Sequence, residues 1–231
     1  RFHPELRVKI KPAEESFFRE LDLEAIDAHA AEIGRPADWR TPCEVREANR
    51  KDVLKDRLQE DMWIFGYGSL MWRPGFPYVE KQTARIFGYH RALCVHSDHH
   101  RGTPNRTGLV VGLDRGGSCI GMAFRIAPKH RDEVIAYLDE RELPTEGYVP
   151  LEKTVHLSND QVVARLYVTD RSHPMYAGKL SEEEQARIVL SAERGRSGDN
   201  PDYVENLVTH LDELGITDGP LHRVWELISR S

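Results

Sequence analysis

The sequence predicts an α+β protein: a strongly curved mixed sheet or small β-barrel flanked by helices, with a helical N-terminal extension. Three observations point there. Short β-rich runs separated by turn clusters fill residues 62–168, and a single helical stretch interrupts them. Residues 12–61 and the chain after Asp170 carry helical start signals and apolar spacing instead. Helices before and after a block of strands fit an α+β layer arrangement better than an alternating α/β one.

The elements follow in chain order. Pro12 with Ala13-Glu14-Glu15 forms a plausible first helical turn, and Phe17, Phe18, Leu21 and Ile33 supply an apolar face. Thr41-Pro42-Cys43-Glu44 has the form of a capping box, with Thr at the cap, Pro at the first helical position and Glu three residues on. Strands are expected at 62–66, 83–94, 108–113, 118–126, 152–157 and 161–168, with a helix at 129–142. Gly116-Gly117 reads as the turn of a hairpin joining 108–113 to 118–126. Ser181-Glu182-Glu183-Glu184 is a second capping box, and Gly195 is the expected stop of its helix. Asn200-Pro201 opens another helix with Val204, Leu207, Val208 and Leu211 on one face, and Pro220 opens the last. The expected domain division is 1–61, a helical extension, and 62–231, the chemical part.

Composition narrows the class. The chain has 231 residues, 39% hydrophobic and 30% charged, enough to bury a sizeable core, and no apolar run reaches membrane-spanning length. The start, RFHPELRVKIKP, has no apolar h-region, so no secretory signal is expected. Cys43, Cys94 and Cys119 are odd in number and widely spaced. They read as reduced thiols of a cytoplasmic protein, not as a disulfide framework or a cysteine-rich zinc site. The net charge is −6, yet residues 81–131 carry nine Lys/Arg against Asp98 and Asp114, a local +7 that leaves −13 elsewhere. A basic patch on an acidic protein suits a small anionic ligand better than nucleic acid, whose polyanion the remaining surface would repel. The alternative is a set of arginines on solvated strand faces.

Three places could carry chemistry. Along 129–142, Val134, Ile135 and Leu138 form one apolar stripe, and Glu142 projects from its end while Glu140 points the opposite way. A carboxylate there is partly desolvated, which raises its pKa and suits it to acid/base work near neutral pH. Otherwise it is a helix-end Glu turned to water or paired with an arginine. Trp63-Ile64-Phe65-Gly66-Tyr67-Gly68-Ser69-Leu70 is a strand entering a two-glycine turn, either structural or a place where backbone N–H groups meet a ligand. Met71 stands where a third glycine would be needed, and MWRPGFP cannot continue as a helix, which excludes a dinucleotide site. His96 and His100 share a face if extended, but no third ligand is evident, so anion or solvent contact is favoured over zinc. Ser69 lacks the GxSxG context of a hydrolase nucleophile.

Taken together and in order, FGYGSL, WRPGFPY, RIFGYHRALC, HRGTP followed by GLVVGL, GMAFRI, and YLDERE with a Gly-Tyr pair after it resemble the ChaC-like gamma-glutamylcyclotransferases from Met62 to the C-terminal helices. The resemblance implies a small β-barrel flanked by helices. It implies a carbon–nitrogen lyase that releases 5-oxoproline from glutathione and leaves Cys-Gly, without a cofactor or metal. Glu142 would be the catalytic acid/base. Ile64, Phe65, Gly66, Tyr67, Gly68, Ser69 and Leu70 would form the substrate strip, with His100, Arg101 and Tyr148 as further contacts. The stretch 143–146 separates Glu142 from Gly147-Tyr148 by more residues than compact members have. Alternatives are another gamma-glutamyl substrate and a non-catalytic binding module on the same fold.

Overall fold

A computed structural model describes residues 23–32, 34, 41–54, 59–143 and 147–231. The expected helical turn at Pro12 and the face of Phe17, Phe18, Leu21 and Ile33 lie outside the described residues. Before residue 62 two helices are described: α1 spans Leu23–Glu32 and α2 spans Cys43–Leu54. The second begins at Cys43, so Pro42 lies at its boundary, where its carbonyl accepts from the N–H groups of Val45 and Arg46.

Five strands follow: β1 Met62–Gly66, β2 Glu80–Ser97, β3 Gly108–Ile126, β4 Tyr148–His156 and β5 Gln161–Thr169. They close into a barrel in the order β1-β3-β2-β4-β5. Strand β1 is the seam, antiparallel to β3 (Ile64 opposite Phe124) and parallel to β5 (Ile64 opposite Arg165). Closure removes the open edges that a curved sheet would otherwise expose. Helix α3 covers Arg131–Glu142 between β3 and β4. Helices α4 (Glu182–Ser191), α5 (Asn200–Glu213) and α6 (Gly219–Ser229) end the chain.

The expected hairpin at Gly116-Gly117 is not formed. Both glycines lie inside β3 with positive φ, 102° and 67°, so the strand absorbs an irregularity and continues. Asp114 holds this point, accepting hydrogen bonds from the Arg115 N–H, Arg171 Nε and Tyr176 Oη. The reversal instead falls between β2 and β3, over residues 98–107. The stop at Gly195 is also displaced: α4 ends at Ser191 and Ala192 is already extended, with Gly195 and Gly198 bridged in the turn beyond. The start of α4 is as the sequence indicates, with the reciprocal Ser181–Glu184 capping box formed.

The chain divides into two compact units. One holds residues 87–120 and 168–231. Its core is Leu93, Leu109, Leu113, Val189, Val204, Leu207, Leu211 and Val224, and α6 packs on α4 and α5. Asn200 is buried here, its side chain bonding both the N–H and the C=O of Leu109 at 2.7 and 2.8 Å. Cys94 and Cys119 are buried, and burial pushes the Cys94 thiol up to about 11. The other unit holds the described residues up to 86 together with 121–167. Ile64, Phe65, Phe124, Ile126, Val134, Ile135 and Leu138 are fully buried there, and Phe76 stacks edge-on against Phe124 at 5.6 Å between ring centres. Helix α2 packs on α3 in this unit, and Arg50 Nη1 reaches Asp132 Oδ1 at 3.0 Å.

Candidate active site

Strand β1 carries the Gly66–Leu70 turn because two backbones approach closely there. A Cβ on Gly121 of β3 would lie 2.2 Å from the Gly66 carbonyl oxygen, so only glycine fits beneath the end of β1. Beyond Gly68 the chain makes one 3-10 turn, Ser69–Met71, with the Met71 N–H donating to the Gly68 carbonyl at 2.9 Å. Leu70, Met71 and Tyr67 are buried and anchor the turn, while Ser69 is half-buried. Ile64 and Phe65 are wholly buried, backbone included, so neither of these two expected substrate contacts offers surface to a ligand; they support the turn from within β1.

Helix α3 ends as its periodicity indicates. Val134, Ile135 and Leu138 face the core, Glu140 is exposed, and the Glu142 side chain is 19% exposed. Burial raises the Glu142 carboxyl above the usual carboxylate range, against the opposing pull of the Arg141 cation. A carboxyl so placed can exchange a proton near neutral pH.

Arg141, which the sequence pattern gives no reason to bury, joins these two pieces. Its side chain is 2% exposed. Nη2 donates to Ser69 Oγ at 2.8 Å, and Nε meets Glu142 Oε1 at 3.0 Å. Nη1 donates to the Arg73 carbonyl at 2.7 Å, to Tyr137 Oη at 3.0 Å and, more weakly, to the Pro74 carbonyl at 3.4 Å. Two residues earlier on the same helix, Asp139 is buried, its Oδ1 accepting from Arg165 Nη2 at 2.9 Å and from Tyr167 Oη at 3.0 Å. Burial raises the Tyr167 pKa, and the nearby Glu142 charge adds to that rise, so Tyr167 stays a neutral donor. The only local signal for either residue was its place inside YLDERE.

The remaining expected residues sit elsewhere. Tyr148 is the first residue of β4 and half-buried; positions 144–146 before it lie outside the described residues. His100 and Arg101 belong to the other unit, in the segment between β2 and β3. His100 Nδ1 pairs with Ser197 Oγ at 3.0 Å, and Arg101 Nη1 donates to the Asp199 carbonyl at 3.1 Å with its guanidinium over the Tyr203 ring. His96 Nδ1 pairs with Thr107 Oγ1, so the two histidines weighed as a zinc pair have separate hydroxyl partners. Among the described residues, no group of three or more His, Cys, Asp or Glu side chains is placed to hold a metal ion, and no helix is long and apolar enough to cross a membrane.

The stretch that builds this geometry is also the one that known proteins share. The model of the family described as ChaC-like protein matches residues 62–231. A glutathione-specific gamma-glutamylcyclotransferase of Escherichia coli (strain K12) is 33% identical over 181 residues, 78% of each chain. One from Schizosaccharomyces pombe is 34% identical over 188 residues, covering 72% of this chain and 90% of that one. Mouse glutathione-specific gamma-glutamylcyclotransferase 1 is 35% identical over 159 residues, covering 67% and 71%. The crystal structure of a yeast gamma-glutamyl cyclotransferase specific to glutathione superposes with a TM-score of 0.67 over 74% of this chain and 96% of that one. At 24% identity it speaks for the barrel-and-helix fold. With the turn, the helix end and the barrel seam all inside the matched span, the chain belongs to the ChaC-like family.

Proposed function

We propose that this chain is a glutathione-specific gamma-glutamylcyclotransferase with Glu142 as its proton carrier. The observation that carries this reading is the single guanidinium joining the Ser69 turn to a half-buried Glu142, in a family member whose similar proteins bear that activity in their names. The chemistry asks little of the protein. The gamma-glutamyl group carries its own nucleophile, the α-amine, and held near the γ-carbonyl it gains an effective concentration of about 10⁵–10⁸ M. At neutral pH that amine is mostly ammonium. Ionised Glu142 accepts its proton, and the neutral amine attacks the γ-carbonyl to close a five-membered ring. The amide C–N bond then breaks, Glu142 returns its proton to the departing Cys-Gly amine, and the second proton, lost by the ring nitrogen as it becomes an amide, leaves with that amine as ammonium. No water is consumed, and the products are 5-oxoproline and Cys-Gly.

The Gly66–Leu70 strip, with the small residues of its turn and with Ile64 and Phe65 supporting it from β1, is the proposed seat of the glutamyl end. Tyr148, His100 and Arg101 are further proposed contacts, the two basic residues suiting the glycine carboxylate. Residues 1–61 are proposed as an extension to a catalytic domain of 62–231. Support comes from α2, which packs on the helix that ends at Glu142. A cytoplasmic setting suits both its reduced thiols and a glutathione substrate.

Incubation with glutathione followed by product analysis tests the reading. It requires 5-oxoproline and Cys-Gly in equal amounts; release of free glutamate would mean hydrolysis and overturn it.

A further inference from the structure

Resting on that reading, we propose that Arg141 is the positioning residue of the site: its Nη2 presents the Ser69 hydroxyl as a hydrogen-bond donor to the reacting γ-carbonyl oxygen, while its Nε holds the Glu142 carboxylate in line for proton transfer. The contacts require this division of labour. A guanidinium only donates, so at 2.8 Å from Nη2 the Ser69 oxygen is the acceptor. A hydroxyl has one proton, and Ser69 must place it on some other acceptor. A cation on the oxygen lone pair also polarises that O–H bond and makes it a stronger donor. An oxyanion forms on the γ-carbonyl as the amine attacks, and a donor fixed beforehand meets it without rearranging.

The same fork fixes the other partner. Arg73, Pro74 and Tyr137 hold Nη1, so the guanidinium plane is set and Nε can meet Glu142 in one orientation only. Lysine has one ammonium on a flexible stem and cannot replace a planar fork that reaches the turn and the carboxylate together. Two groups face Glu142 electrostatically: Arg141 on its own helix and Tyr167 on β5, whose phenol burial keeps neutral. Arg141 is therefore the cation that opposes the effect of burial on Glu142.

The test is steady-state kinetics on glutathione across pH, with thermal melts, for Arg141→Met, Arg141→Lys, Ser69→Ala and Glu142→Gln in the full chain. Arg141→Met should lower kcat by about 10²–10³-fold. It should also move the acidic limb of the kcat/KM profile to higher pH, because burial then acts on Glu142 unopposed. Arg141→Lys should keep the limb close to its wild-type position and still lose kcat. Ser69→Ala should lower kcat by about 10²-fold with KM within a few-fold of wild type, the mark of a bond made in the transition state. A merely structural arginine would lower the melting temperature and leave the limb where it was, so an unmoved limb in folded Arg141→Met overturns the proposal. If that variant does not fold, wild-type kcat in Ser69→Ala or Arg141→Lys overturns it equally. Turnover surviving in Glu142→Gln would instead remove the underlying reading, which keeps the two failures apart.

Discussion

At the end of α3, one buried guanidinium reaches both the Ser69 turn and a half-buried carboxyl, and the carboxyl keeps a raised pKa. In the segment between β2 and β3, three basic side chains are held by the chain around 193–203: His100 by Ser197, Arg101 by Asp199 and Tyr203, and Arg106 by Glu193. The first is acidic in sequence around a single arginine, and the second is basic. They differ in what the charge does: the first sets the protonation of a neighbour, the second ties two loops of one unit together. Much of the local +7 is taken up in the same way, with Arg91 paired to Asp218, and Arg125 paired to Asp61 and Glu80. Excess charge counted along a chain is therefore a poor guide to charge available for a ligand, because each partner can lie a hundred residues away.

Three substitutions would break or sharpen this contrast. Glu142→Gln should have the largest effect, a fall in kcat of about 10⁴-fold, the upper end for acid–base catalysis, since both proton transfers use one carboxyl. Folding should not suffer. Because burial raises the Glu142 pKa, its favourable share of stability is complete below the unfolded value of 4.5 and is lost as pH rises through the folded value. At pH 7 the glutamine variant should melt at or above the wild-type temperature, the gap narrowing on acidification. A large loss of stability at neutral pH would place Glu142 among the structural charges instead.

Asn200→Ala should show the opposite pattern in the other unit. Removing two buried partners from Leu109 should cost about 2 kcal/mol or more in urea unfolding, with kcat per folded molecule unchanged. A fall in kcat without loss of stability would blur the distinction between the regions. Arg101→Ala should be the mildest, raising KM for glutathione less than tenfold at constant kcat. An unchanged KM would confine Arg101 to holding its loops.

Much of this was legible beforehand, for reasons that particular residues show. Val134, Ile135 and Leu138 fixed the buried face of α3, and the same periodicity put Glu142 at its edge and Glu140 in water. Ser181 and Glu184 announced a helix start through local chemistry that the fold retains. Gly116-Gly117 misled because turn preference is local, whereas the continuity of β3 is decided by pairing across the barrel. Arg141 and Asp139 were overlooked because a pattern of apolar residues treats every charge as solvent-facing. Their burial depends on Tyr137, Ser69, Arg165 and Tyr167, of which three are distant in sequence.

The two thiols sealed inside the β2–β3 region have a bearing on the company this protein is proposed to keep. Disulfide exchange proceeds through a thiolate that a disulfide can reach. Cys94, its pKa pushed up to about 11 by burial, offers neither charge nor access, and Cys119 is enclosed as well. An enzyme working amid glutathione and its oxidised dimer is thereby spared mixed-disulfide capture at both positions, and its core chemistry stays indifferent to the redox state of its own substrate pool.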